Sequence, residues 1–469
     1  MQKVLFLVPH EDDELFVGGA MLINLIRSEE YDPYVFIATN GDYYPSENET
    51  RTQESLDVLY SIGMKKENII FGGYGDCWQG THIYNSPDDE KKISQGGFEK
   101  TYAANSEYQE WHSMKYGKSQ YYSRSGYLHD LKDLISDLKP DIIICVDLDF
   151  HRDHKCLSLL TEEALGLVLK ENPTYRPTVL KKYAYQGVLS GKKDYFHMPH
   201  YPTVNNGDST SNPYFSWQNR IRYQVPKDCN TFFLRNNLLY KLIRKYKTQD
   251  VWTSASGFIN SDIVYWKRNT NNLALTATIQ ASSGDPHWIN DFKLVDTDDV
   301  TPRKSDYSTR CWRPNPDDMQ KQIRVSFSES QTIQKIILYF NNLDGMLPGF
   351  VDVKLFDYNA QLLCEKVIPN LKNGIYSEMI EFEKANQVTS VLFDINDDTC
   401  KIGLGEIEII NQEEDVPFQE FLYTGIEMNS PNSIKNKLEN SIQKIDELIF
   451  KTQCYAYRNM KKHPKNKEF

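Results

Sequence analysis

Apolar and polar positions change their period twice along the chain. Up to about residue 150, short β-branched runs alternate with stretches of helical spacing. Val4–Val8 reads as a strand, and Leu15, Ala20, Leu22, Ile23 and Ile26 then fall on the apolar turns of a helix over 14–27. Tyr34–Ala38 is a second strand, followed by a helix over 50–62 with Leu56, Leu59 and Tyr60. Asn68–Phe71 is a third strand, and a helix over 127–138 leads through Pro140 into a strand over 141–147. Strands that alternate with helices predict a parallel sheet covered by helices, an α/β Rossmann-like fold. The polar, Tyr-rich stretch 77–126 and the aromatic-rich stretch 189–222 read as rims or lids.

From about residue 270 the period falls to two. Ile323–Phe327, Ile333–Tyr339, Val351–Phe356, Val391–Ile395 and Ile407–Ile410 are short alternating runs separated by turn residues. Their spacing predicts an antiparallel β-sandwich of jelly-roll type. Near residue 430 the period lengthens again. Ile434, Leu438, Ile442, Ile445 and Ile449 recur every three to four residues, with Ser430 or Asn432 placed to cap the helix they predict. Such an apolar stripe docks on its own protein or on a symmetry mate, so a homo-oligomer through this helix is one expectation and a membrane-surface role another. The predicted domains are therefore 1–267, 268–412 and a helical tail over 413–469.

Composition narrows the function classes. The 469 residues exceed one ordinary core. With 53 basic against 65 acidic residues the net charge is −12, which argues against a nucleic-acid partner. Eight cysteines are scattered without paired spacing and read as reduced thiols. No run of about 18 apolar residues is present, so no transmembrane helix is predicted. Met1-Gln2-Lys3 leads straight into the first strand, and a cytoplasmic protein is the expectation.

Chemistry-bearing residues gather where strands end. The first strand runs directly into Pro9-His10-Glu11-Asp12-Asp13-Glu14, and ligands of open α/β sheets collect at the carboxyl ends of parallel strands. His10 and Asp13, three apart on a tight turn, can face one ion and leave Asp12 to accept a proton from water. The strand Ile142–Val146 likewise leads to His151-Arg152-Asp153-His154. Catalytic zinc takes three N/O ligands and keeps a position open, and His10, Asp13 and His154 would make such a set. Each cluster alone also fits a polar turn. Arg51 and Glu54 also fit an exposed helical ion pair, worth only about 0.2–0.5 kcal/mol. Asp76 fits an ordinary turn residue. His197 and His200 repeat the His-x-x-His spacing in a Pro-containing stretch and read as rim residues.

Taken in order, these residues resemble the PIG-L/LmbE-like family of zinc-dependent de-N-acetylases. The resemblance spans about the first 265 residues. It runs from the strand with His-x-Asp-Asp-Glu through Thr39-Asn40-Gly41-Asp42, Arg51-x-x-Glu54 and Gly72-Gly73-Tyr74-Gly75-Asp76 to the His-x-Asp-His segment and Phe258–Asp262. Glu11 stands where the family has Pro, a departure that touches the turn and not the ligand set. The resemblance implies one zinc ion per chain, or another divalent metal, on His10, Asp13 and His154, with Asp12 as general base. It places His151 at the oxyanion or leaving group and Arg51 and Asp76 near the sugar. Ala274–Ser283, the Trp312 region and Gly403–Ile407 are similar to discoidin-like (F5/8 type C) galactose-binding sandwiches, which implies either carbohydrate binding or packing alone.

The expected reaction is hydrolysis of an N-acetyl group on an N-acetylglucosamine-type sugar or glycoconjugate, with metal-activated water as nucleophile. Two other classes stay open: a carbohydrate-binding protein on a vestigial deacetylase fold, and a metal-dependent phosphoesterase. All proposed catalytic groups precede residue 268, so the sandwich is expected to be separable from the chemistry.

Overall fold

The computed structural model describes residues 1–76, 83–147, 151–184, 203, 220–231, 233–249, 259–294, 310–341, 349–369, 377–396, 403–412 and 434–462. The expectations for His197, His200, Phe258, Ser430 and Asn432 lie outside these residues.

The β-branched and helical runs of the first region form the elements they predict, mostly one to four residues longer. In chain order these are β1 (Gln2–Val8), α1 (Asp13–Ile26), β2 (Tyr31–Thr39), α2 (Asn48–Ser61) and β3 (Ile69–Tyr74). A short α3 (Trp111–Tyr116) lies inside the stretch read as a rim, and α4 (Arg124–Leu138), β4 (Ile142–Val146) and α5 (Arg152–Glu171) follow. Next come β5 (Thr178–Lys182), β6 (Ile221–Gln224), α6 (Leu238–Ile243) and β7 (Asp262–Arg268). Their sheet has the order β3-β2-β1-β4-β5-β7-β6. The first five strands pair in parallel, and β7 and β6 close the edge antiparallel. Val4–Val8 and Ile142–Val146 are buried throughout, as strands covered on both faces must be.

Strand order reverses between β1 and β4, which are direct neighbours with Phe6 opposite Ile144. A crevice opens at such a switch point beyond the carboxyl ends of the strands. Both histidine-containing segments leave from these two strands. That juxtaposition positions the site.

The second region is antiparallel, as its alternation predicts. It comprises β8 (Thr278–Ala281), β9 (Gln322–Asn341), β10 (Phe350–Phe356), β11 (Leu362–Pro369), β12 (Ser377–Asn396) and β13 (Gly403–Ile410). They order as β11-β10-β12-β9-β13, with β8 on β9. Register shifts between Glu381 and Ser390 interrupt the pairing of the two 20-residue strands β12 and β9. Shifts of this kind bend long strands so that they serve both layers of a sandwich-like core. Trp312, Ile336, Leu338, Val353 and Phe393 are fully buried in it. Last comes α7 (Ile434–Lys462), whose Phe450 and Cys454 insert into the core of the first region.

The two cores meet across buried charge, which alphabetic patterning did not reveal. Glu162 of α5 accepts from Arg268 Nη1 at 2.8 Å, Lys181 Nζ at 3.1 Å and the Leu294 amide at 2.8 Å. Arg268 Nη2 also donates to Glu408 of β13 at 3.1 Å and to the Phe292 carbonyl at 2.9 Å. Gly166 of α5 lies so close to the Asp291 backbone that a Cβ would fall 2.1 Å from its carbonyl oxygen. Cutting at residue 268 would strip Glu162 and Arg268 of buried partners, so the expectation of easy separation meets a concrete energetic cost.

Candidate active site

The turn after β1 is shaped by its own side chains. The Asp13 amide donates to the His10 carbonyl at 3.3 Å, and the His10 amide donates to Asp13 Oδ2 at 3.3 Å. Asp12 sits between them at φ 114°, a backbone region that costs a non-glycine residue energy. Its amide donates to Glu14 Oε2 at 2.9 Å. Glu14 is in turn held by Ser55 Oγ at 3.2 Å and by the Tyr246 hydroxyl. Two helices, α1 and α2, and the segment that follows α6 thus fix one strained residue.

His151 caps α5: its Nδ1 accepts the Asp153 amide at 3.2 Å. One turn later His154 points back at β1. His10 Nδ1 lies 3.0 Å from Asp13 Oδ2 and 3.3 Å from His154 Nε2, and His154 Nε2 lies 3.2 Å from Asp13 Oδ2. Donors of tetrahedral zinc with bonds of about 2.0–2.1 Å stand about 3.3–3.4 Å apart, so the triangle matches a ligand face. All three residues are buried. Potential donors of His10, His151 and His154, and of His10, Asp76 and Asp153, also lie within 4.8 Å of one another.

The remaining expected residues arrive at the same place. Arg51 Nη1 donates to the Gly41 carbonyl at 3.1 Å, and its guanidinium lies 3.7 Å from Glu11 and 4.0 Å from Asp76. Gly41 has φ 56°, and a Cβ there would sit 2.5 Å from the guanidinium carbon, so the close approach requires glycine. Glu54 accepts instead from the amides of Lys247 and Thr248 and from the Thr248 hydroxyl. Asp76 Oδ1 stands 3.8 Å from His10 Nε2, while Oδ2 accepts the Tyr43 amide at 3.1 Å.

Three participants were not singled out from the sequence. Asp153 lies 3.2 Å from His10 Nε2, placed to orient that ring as a carboxylate behind a metal-ligating imidazole does. It was visible between the two histidines, but its contact depends on β1 lying beside β4. Asp42 accepts the Asp76 amide at 2.7 Å and Ser94 Oγ at 2.7 Å. The Glu14 support requires Ser55 and Tyr246, 41 and 232 residues away.

Burial and charge then act against each other. Burial lowers His10, but the hydrogen bonds to Asp13 and Asp153 and the charge of Asp76 outweigh it and raise the imidazole well above its usual value. Burial raises Asp13, and His154 and His10 overcome it and hold the carboxyl far below its usual range. Asp12 goes the other way: burial, with the charge of Asp13, outweighs the pull of Arg51 and His10 and pushes it up to about 8. Burial raises Glu11 to about 7 against the pull of Arg51. His151 is held well below its usual value by burial and by His154 and His10.

Residues 5–165 match the family model of PIG-L, GlcNAc-PI de-N-acetylase. Comparison with curated proteins gave no significant match. The C-terminal part is similar to the lectin domain of lectinolysin complexed with Lewis B antigen, at 20% identity and TM-score 0.25, over 30% of this chain and 97% of that one. A Streptococcus pneumoniae fucose-binding module aligns at 16% identity and TM-score 0.23 over 30% and 98%. A chitosan-binding module from a Paenibacillus sp. IK-5 chitosanase/glucanase aligns at 18% identity and TM-score 0.21 over 29% and 97%. With both strand-end motifs inside the matched segment, residues 5–165 constitute a PIG-L family domain, carried on a chain that continues into an antiparallel sandwich.

Proposed function

We propose that the chain hydrolyses the N-acetyl group of an N-acetylglucosamine-type sugar or glycoconjugate, using one divalent cation, zinc in the first instance. His10, Asp13 and His154 would hold the cation, and the observation that carries the reading is their mutual spacing of 3.0–3.3 Å beside a base-capable Asp12. Bound there, the cation would supply Lewis-acid polarisation of the amide carbonyl and a more acidic water.

Asp12 would take the proton as the water oxygen bonds to the carbonyl carbon, and return it to nitrogen as the C–N bond breaks. Acetate and a free amine leave. A cation among the donors would lower the Asp12 carboxyl from its raised value and keep it a base at neutral pH. His151 need not be protonated to help. Its Nδ1 already accepts the Asp153 amide, which puts the proton of the neutral ring on Nε2, the nitrogen that would donate to the oxyanion. Arg51, steadied by Glu11, and Asp76 would face the sugar.

Acetate release from a panel of N-acetylglucosamine-containing compounds, with and without added Zn²⁺, tests the reading alongside elemental analysis. One metal per chain and metal-dependent acetate release are expected. A chain that takes up no metal on titration, or a loaded chain that releases no acetate from any panel member, refutes it.

A further inference from the structure

Among the described residues, the last helix touches the body along one side. Phe450 and Cys454 of α7 are buried in the α/β core, Asp446 pairs with Arg235 at 3.1 Å, and Arg458 donates to the Thr248 carbonyl. The opposite side carries Ile434, Leu438, Ile445, Leu448, Ile449 and Tyr455, exposed by 87, 56, 60, 67, 46 and 72%. At about 3.6 residues per turn these six fall within an arc of about 120°, centred opposite Phe450 and Cys454. Exposed Lys437, Lys444 and Lys451, seven residues apart, border that arc along one edge. The helix holds seven basic and three acidic residues in a chain of net charge −12. The helix therefore carries net positive charge in an acidic chain, and three of its lysines lie beside the apolar surface.

The geometry points to a membrane-docking face: α7 seats the protein on a bilayer containing anionic lipid. An interfacial helix buries its apolar arc at the headgroup boundary while basic residues beside it meet anionic headgroups. The lysine row decides against a second copy of the chain as occupant. In an antiparallel helix pair the row would face its own counterpart. In a parallel pair it would face the edge formed by Ile442, Ile449 and Ala456. Glu447 adjoins the row beside Lys444 and Asp446 is engaged by Arg235, so each copy would bring three lysines against one carboxylate among the described side chains. An anionic bilayer would cover the arc and lie against the lysine edge together. The described residues contain no helix long and apolar enough to cross a membrane, so the contact would be peripheral.

Flotation of the full-length chain with vesicles tests this, comparing equimolar phosphatidylglycerol and phosphatidylcholine with phosphatidylcholine alone. Binding to the mixed vesicles, weakened by salt, is expected. Lys437→Glu with Lys444→Glu should weaken it by at least about tenfold, since each basic residue near an anionic surface contributes about a factor of five. Ile445→Asp with Leu448→Asp should abolish it, with an unchanged thermal unfolding profile because both side chains are exposed. Wild-type failure to float, or flotation unaffected by either pair, overturns the proposal. So does a concentration-dependent dimer that the aspartate pair makes monomeric while vesicles bind neither form.

Discussion

Helix α5 has one charge cluster near its N-terminus and another at its middle, and the two are built in opposite ways. Near its N-terminus His154 meets His10 and Asp13, with Asp12, Asp76 and Asp153 close by. Eight residues further on, Glu162 is enclosed by Arg268 and Lys181. Burial works to raise Glu162, yet the two permanent cations bring it below its usual value. In the N-terminal cluster burial prevails for Asp12 and Glu11. A buried carboxylate with its own cations is finished as structure. Asp12 and Glu11 have the guanidinium of Arg51 beside them and burial still prevails, next to imidazoles whose donors converge as the proposed cation would require.

Strand β5 repeats the contrast within two residues, because successive side chains point to opposite faces. Lys181 reaches Glu162 and Asp147, and their charges raise it despite burial. Lys182 turns towards α1, donates to the Phe16 carbonyl, and is lowered by burial to about 7 against the weaker pull of Asp262.

The comparison can be broken at its functional end first. Asp12→Asn should lower turnover by about 10²–10⁴-fold with metal content nearly intact. Equal loss of metal and activity in that variant would show that its role and that of Asp13 are exchanged. At the structural end, Arg268→Met should cost about 3–5 kcal/mol in urea unfolding, because Glu162 and Glu408 lose a buried partner. The folded fraction should keep its metal. A variant as stable as wild type would mean that Lys181 alone suffices for Glu162.

Asp153→Asn sharpens the metal end. Weakened metal binding by about 10–100-fold, read by competition with a chelator, is expected if the carboxylate orients His10. Affinity equal to wild type would leave Asp153 only its backbone role towards His151. The smallest effect is a slope. Between pH 7 and the unfolded lysine value near 10.5 the unfolded chain binds a proton at Lys182 that the native chain does not. Stability should therefore rise with pH across that window, by at most about 1.4 kcal/mol per unit, and Lys182→Met should remove this contribution. Identical pH profiles for variant and wild type would contradict a neutral Lys182.

Much of this was legible because it is local. The β1 turn needs only residues 9–14, and the run of apolar residues before it announces a strand that ends there. The His151–His154 segment could be read the same way after β4. The alternating runs beyond residue 270 became antiparallel strands for the same reason, that period two is set residue by residue. Arg51 shows where local reading stops. Its i, i+3 neighbour Glu54 was an available partner, yet the guanidinium lies by Glu11 and Asp76, and Glu54 binds the Lys247–Thr248 backbone. The tail helix was legible as amphipathic, but not the side it would bury: Phe450 and Cys454 went inward, and most of the stripe stayed out.

By itself, then, the sequence determined the alternation of elements, the change from a parallel to an antiparallel region, and two short segments able to supply a base and metal donors. Each depends on backbone period and on neighbours within a turn or two. Tertiary structure decided that β1 lies beside β4, which brings His154 within 3.3 Å of His10 across 144 residues. It also decided which buried carboxylates receive cations from distant strands and which do not. The physical reason is that burial and Coulomb energy depend on three-dimensional surroundings, so the charge state of a side chain is settled only when the chain has folded around it.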